Sequence, residues 1–151
     1  EMTGKDLKDY MEWSAGYFDT LKQGDTEYSY NSDRKNFKYV TYDIFGGVKY
    51  KIDLQQAPGN RIKDLTLVSG NKRITDSTKR KVGMNTYSFE MLVQKGGPWE
   101  GRRIKKIWDS KEVLGQEKGT IQNMTIDYIT KVRKGKINGL SNNYWSITGL
   151  K

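Results

Sequence analysis

The sequence predicts an α+β fold, in which helices are segregated from a sheet that is largely antiparallel. Apolar residues at helical spacing open the chain, alternating residues and turn signals fill its middle, and a second helical stretch precedes a closing strand. The 151 residues show no repeat, no low-complexity tract and no shift in composition. We therefore predict one domain over residues 1–151.

Two helices are predicted from apolar residues that recur at intervals of three and four. In the first, Thr3 is the expected N-cap and Asp6 completes a capping box. Its apolar positions are Leu7, Tyr10, Met11, Ala15 and Phe18. The second helix is marked in the same way by Ile121, Met124, Tyr128, Ile129 and Val132.

The strands are predicted from alternation of apolar and polar residues between turns. Residues 37–45 and 48–54 flank Gly46-Gly47, which is a two-residue hairpin signal. The turn "APGN" then leads to a strand over 62–67. Further strands are predicted over 80–87, 104–108 and 144–148, and residues 24–36 are predicted to form a loop.

The chain contains neither histidine nor cysteine. It therefore cannot form a Cys–His or Ser–His–Asp nucleophile, or a zinc site built on imidazole or thiolate ligands. Catalysis by this chain alone would have to use carboxylate, lysine, tyrosine or serine side chains. No apolar run approaches 18 residues, so we expect no membrane insertion.

Four stretches of the sequence follow one another in a recognisable order: "TGKDLKDYMEWSAGYF", "YDIFGGVKYKIDLQQAPGNRIKDLTL", "VGMNTY" and "TIDYITKV". In order and approximate spacing they resemble the C-terminal domain of bacterial 5'-nucleotidases and 2',3'-cyclic-nucleotide 2'-phosphodiesterases. The hairpin followed by "IDL…PGNRI…L" is the most specific part. The resemblance covers nearly the whole chain and implies a layered α/β/β/α arrangement with antiparallel and mixed strands.

The resemblance also implies a larger parent protein. In this family an N-terminal metallophosphoesterase domain of the same polypeptide holds two divalent metal ions with His, Asp and Asn ligands. A chain without histidine cannot supply that site, so we expect no cofactor here and expect most of a C-terminal domain that lacks its first segment. The family implies a periplasmic, cell-surface or secreted location.

For the ligand, the resemblance implies a nucleobase held between two aromatic rings, at positions matched by Tyr42 and Tyr87. Each stacking contact contributes roughly 1–3 kcal/mol, and two rings about 7 Å apart would admit a base between two stacking distances. Asn85 would bond a base edge or order its loop, and Asp43 would order the rim of the pocket. The alternative is that both tyrosines simply pack on a sheet, where tyrosine is common.

The glycine-rich stretch at residues 96–101 departs from the family pattern. Many 5'-nucleotidases carry "GGDGF", whose Asp holds the ribose hydroxyls, whereas this chain has "GGPWEG" with Pro98 in place of that Asp. Gly96 and Gly97 remain as candidate substrate contacts. Trp99 is expected either to pack over the sugar or to anchor the loop in the core. The missing Asp favours the cyclic or broad-specificity branch.

Two other function classes compete with nucleotide recognition. The net charge of +9 and the runs "STKRK", "GRRIKK" and "KVRKGK" are typical of a binding module for single-stranded nucleic acid or another polyanion. Such runs are more often solvated faces, and a positive field would also attract phosphorylated substrates. An enzyme that works alone through Asp43 and Asp53 is disfavoured, because neither carboxylate has an obvious partner.

We predict that the purified chain hydrolyses neither AMP nor 2',3'-cyclic AMP, with or without added Mn²⁺ or Zn²⁺, because it has no histidine or cysteine. Phosphate release is the measurement. Metal-dependent turnover that copurifies with the chain would contradict the prediction.

Overall fold

The computed structural model describes residues 1–35, 42–137, 139 and 143–150. The chain divides into two compact units, one of residues 1–104 with 143–151 and one of residues 105–142. Our expectation of a single domain over 1–151 stays a prediction.

The first unit contains a three-stranded mixed sheet of order β2-β1-β3. Strand β1 (Val48–Asp53) pairs antiparallel with β2 (Ile62–Leu67) and parallel with β3 (Trp145–Thr148). The alternation predicted from the sequence places four side chains in the core: Val48, Tyr50, Ile52 and Leu54. The α+β class and these three strands are therefore confirmed.

Helix α1 (Gly4–Ala15) packs one face into the same core. Its capping box forms as predicted: the Thr3 hydroxyl accepts from the Asp6 N–H, and the Asp6 carboxylate accepts from the Thr3 N–H. The predicted apolar positions are all buried, at Leu7, Tyr10, Met11, Ala15 and Phe18. Phe18 lies beyond the end of the helix, so the apolar period extends further than the helix does.

Two buried polar residues, Glu12 and Arg61, connect α1 to β2 through hydrogen bonds. We call this pair the buried joint; it was not predicted from the sequence. The Glu12 carboxylate accepts the backbone N–H groups of Arg61 and Ile62, at 2.9 and 2.7 Å. The fully buried Arg61 guanidinium donates to the carbonyls of Ala15 and Phe18, at 2.8 and 2.7 Å. Burial lowers the pKa of Arg61 and the nearby Glu12 carboxylate opposes this; arginine remains charged because its usual pKa is so high.

Two strand predictions are wrong, and a third is tested only in part. Residues 80–87 were expected to form a strand, but Asn85 caps helix α3 (Thr86–Val93) and only an isolated bridge to Met2 forms at Arg80. Residues 104–108 have no regular structure. Of the strand predicted over 37–45, residues 42–45 are not in a strand and 37–41 lie outside the described residues.

The turn predicted at Gly46-Gly47 is confirmed, but it does not join two strands, because residues 42–45 are not in a strand. Gly46-Gly47 forms a turn directly before β1, and Gly47 has a φ of 80°, which favours glycine. The loop predicted over 24–36 contains the short helix α2 (Ser32–Lys35), and residue 36 lies outside the described residues.

The second unit contains helices α4 (Ser110–Leu114) and α5 (Ile121–Asp127). The predicted helix over this region is confirmed, although a π-helical turn (Tyr128–Val132) continues α5. Within the described residues, we find no helix that is both long enough and apolar enough to cross a membrane.

Replacing Arg61 by Met should lower the free energy of unfolding by about 3 kcal/mol or more, because buried carbonyls lose their donors. Urea unfolding monitored by tryptophan fluorescence measures this. The exposed Arg73→Met is the matched control and should change stability by less than about 0.5 kcal/mol. Equal effects of the two substitutions would show that the buried joint is not stabilising.

Candidate functional site

A cleft of about 380 Å³ lies in the first unit, at the turn before β1. Two chain segments supply most of its lining, residues 43–48 and residues 80–85, and we call them its two walls. The remaining lining residues are Leu7, Tyr10, Leu67, Ile74 and Ser88. Its volume falls within the range of small-molecule sites, about 300–1,000 Å³.

Helix α1 holds the first wall in place. The Tyr10 hydroxyl donates to the Asp43 carboxylate at 2.6 Å, and the Asp43 N–H donates to the buried Ser14 hydroxyl at 2.7 Å. The Phe45 N–H donates to the Tyr50 hydroxyl at 3.3 Å. Burial raises the pKa of Tyr50 and keeps its hydroxyl neutral. These contacts hold Asp43 in place at the cleft, and its role toward a substrate stays a prediction.

Tyr42 lies at the edge of this wall, in a group of aromatic side chains. It is half-buried, and its ring centroid lies 4.9 Å from that of Phe18, 5.8 Å from that of Tyr17 and 6.1 Å from that of Trp145. The ring is therefore supported on the protein side by three others.

Tyr87 lies two residues beyond the second wall, and neither it nor Tyr42 is among the residues that line the cleft. It lies in the first turn of α3, and its side chain is 51% exposed. Two residues before it, Asn85 lines the cleft and its side-chain oxygen accepts the Ser88 N–H at 2.7 Å. Of the two roles predicted for Asn85, ordering the loop is the one that this contact supports.

Asp43 and Asn85 thus line the same cleft. In the chain, Tyr42 directly precedes Asp43, and Tyr87 follows Asn85 by two residues. The face-to-face arrangement of the two rings stays a prediction.

The glycine-rich stretch lies elsewhere in the first unit. Gly96 and Gly97 line a smaller pocket of about 220 Å³ with Trp13 and Met91. Gly97 packs so closely on the backbone of α3 that a Cβ atom would collide with it. These glycines do not line the larger cleft.

Trp99 is fully buried, and its indole N–H donates to the backbone carbonyl of Asp6 at 2.9 Å. Its ring packs edge-on against Tyr10, with 5.5 Å between centroids. Of the two predicted roles, anchoring the loop in the core is therefore the one that the structure supports.

Sequence analysis missed three contributors to the cleft. Tyr10 and Ser14 lie on the buried face of α1, and Tyr10 was assigned only to packing, although a buried hydroxyl needs a partner. Arg80 lines the cleft, but it was assigned to a basic run. Arg80 precedes the matched stretch "VGMNTY" by two residues, so no motif singled it out.

The carboxylates of the described part of the chain were considered as metal ligands and as catalytic groups. No group of three or more acidic side chains is arranged there to hold a metal ion. Asp53, the second carboxylate of the lone-enzyme hypothesis, accepts the N–H of Gln55 in the turn after β1. Asp43 and Asp53 thus each perform a local structural task.

Comparison with known proteins defines the class of domain. Residues 1–94 match the family model described as 5'-nucleotidase, C-terminal domain. The chain belongs to this family, as its sequence motifs predicted.

Two known proteins are similar to this chain over most of its length. The trifunctional nucleotide phosphoesterase protein YfkN of Bacillus subtilis is 26% identical over 151 residues, which is 97% of this chain and 10% of that protein. A Staphylococcus aureus protein assigned as a 5'-nucleotidase, crystallised with alpha-ketoglutarate, shares the fold at a TM-score of 0.63 and 22% identity. That match covers 97% of this chain and 26% of the solved chain. The present chain thus spans about a tenth of the length of the first relative and about a quarter of the length of the second.

Proposed function

We propose that this chain is the nucleotide-recognition domain of a metal-dependent nucleotide hydrolase, and that its cleft binds the nucleoside part of the substrate. One observation carries the proposal. Residues 43–48, which directly follow Tyr42, and residues 80–85, which end two residues before Tyr87, line one cleft.

The rings of Tyr42 and Tyr87 have different surroundings, and each suits base stacking for a different reason. Tyr42 is backed by other aromatic rings and offers a supported wall. Tyr87 is half exposed on α3 and is accessible to a ligand. A base stacked on each would gain roughly 1–3 kcal/mol per contact. Stacking is tolerant of base identity, because every base has a π face.

Catalysis would come from a metallophosphoesterase domain of the same polypeptide. The described residues of this chain do not fit a metal centre, so no step of the reaction is assigned to them. In the parent, two divalent ions would activate the attacking water.

Pro98, in place of the ribose-binding Asp, supports a cyclic-nucleotide or broad-specificity substrate. We propose a location outside the cytoplasmic membrane on the family resemblance alone.

The competing polyanion-binding function has less support, because acidic partners neutralise part of the basic runs. The ion pairs within these runs are Arg102 with Asp6 and Asp9, Lys106 with Asp109 and Glu112, and Lys131 with Asp127. The hydrogen bond from Lys106 holds the pKa of Asp109 below its usual value. Such pairs are typical of solvated faces.

Replacing Tyr87 by Ala should weaken adenosine binding by roughly 1–3 kcal/mol, because one stacking surface is lost. The fold should be retained, since the side chain is half exposed and alanine suits a helix. Isothermal titration calorimetry measures the affinity, and circular dichroism confirms the fold.

Tyr128→Ala is the matched control, because Tyr128 is 54% exposed on the second unit. It should leave the affinity unchanged. If Tyr87→Ala has no effect on adenosine binding, or if only long oligonucleotides bind and their affinity falls steeply with salt, the polyanion function replaces the one proposed.

A further inference from the structure

We propose that Arg80 makes this cleft selective for an anionic ligand, so that it binds a nucleotide through its phosphate as well as its base. The inference rests on the proposed function, because it concerns the charge of the substrate in the same cleft. It adds a specificity-determining residue that the sequence motifs did not indicate.

The first observation is an unsatisfied donor. The Nε–H of Arg80 is shielded from solvent, and no hydrogen-bond acceptor among the described residues reaches it. Buried donors are nearly always paired, because leaving one unpaired costs its full desolvation penalty. The Nη1 group donates to the carbonyl of Lys79 at 2.9 Å. The guanidinium thus has only part of its donor capacity in use, within a wall of the cleft.

The second observation is the charge of the cleft. Its charged lining residues are Arg80, Lys81 and Asp43, so cations outnumber the carboxylate. Asp43 accepts the Tyr10 hydroxyl at 2.6 Å, which satisfies part of its acceptor capacity within the protein. None of the ion pairs formed among the described residues involves Arg80 or Lys81. An anion entering the cleft therefore meets a net positive field.

The third observation is the rigidity of the support. The backbone of Arg80 exchanges two hydrogen bonds with Met2, at 2.9 and 2.8 Å. The position of its Cα is therefore fixed, and only the side chain must turn toward the ligand. Side-chain rotamer changes of this kind are common on binding.

Arginine is also the suitable residue type. Its planar fork of N–H donors matches the oxygens of a phosphate in a bidentate contact, whereas lysine offers a point charge. Asn85 and Arg80 both line the cleft from residues 80–85, so one ligand with a base and a phosphate can contact both residues.

The test compares adenosine, AMP and inorganic phosphate as ligands of the full 151-residue chain by calorimetry at low salt. Wild type should bind AMP at least about tenfold more tightly than adenosine, since hydrogen bonds to a charged group are the stronger kind. Arg80→Gln should reduce this ratio to about twofold or less while adenosine affinity is kept, and Arg80→Lys should give an intermediate ratio.

Arg103→Gln is the matched control, because it removes the same charge from an exposed arginine that does not line the cleft. It should preserve the preference for AMP. Thermal unfolding of all variants verifies that they are folded.

The outcomes separate this inference from the proposed function. If adenosine binds and AMP binds no more tightly, or if Arg80→Gln keeps the preference, the inference is wrong and nucleoside recognition stands. If phosphate and AMP bind equally through Arg80 and adenosine does not bind, anion selectivity stands and base recognition is wrong. If no ligand binds at millimolar concentration, both are wrong.

Discussion

The buried joint between Glu12 and Arg61 is the interaction on which the rest of the first unit depends. One carboxylate satisfies two backbone donors at the start of β2. One guanidinium satisfies carbonyls at the end of α1 and just after it, together with the Thr20 hydroxyl and the Gln56 carbonyl. Each group is too polar to be buried unpaired, so helix, strand and turn have to form together for either to be stable.

The joint also determines the geometry of the cleft. With the end of α1 fastened to the sheet, Ser14 and Tyr10 are held on the face that supports the rim residue Asp43. Trp99 packs against Tyr10 and donates to the carbonyl of Asp6 in the same helix. A single helix therefore serves both as part of the core and as the support of the candidate site. We infer that substitutions in the core face of α1 would alter ligand binding without touching a ligand.

How far the sequence predicts this structure depends on how local the signal is. The capping box at Thr3 and the alternation of β1 are local patterns, and both are confirmed. Residues 80–87 have a β-like composition, but the Asn85 side chain accepts the Ser88 N–H and starts a helix instead. Here a side-chain contact outweighed the average propensity of the segment.

In the candidate site, too, residues within local motifs were predicted from the sequence and residues with distant partners were not. Asp43 and Asn85 were found because they belong to family motifs. Arg61 was visible in the "PGNRI" motif, but its partner Glu12 is 49 residues away, and no local pattern pairs them. Arg80 was hidden for a different reason, since a run of basic residues has the same appearance whether it faces solvent or a cleft. Burial of one guanidinium donor, which only the structure gives, separates the two cases.

The central claim is that a base lies between the two walls of this cleft, and proton NMR of the chain with adenosine tests it most directly. The account predicts intermolecular nuclear Overhauser effects from the ring protons of both Tyr42 and Tyr87 to the H2 and H8 protons of the base. Contacts from neither ring, or contacts only to tyrosines outside the cleft walls, would contradict it.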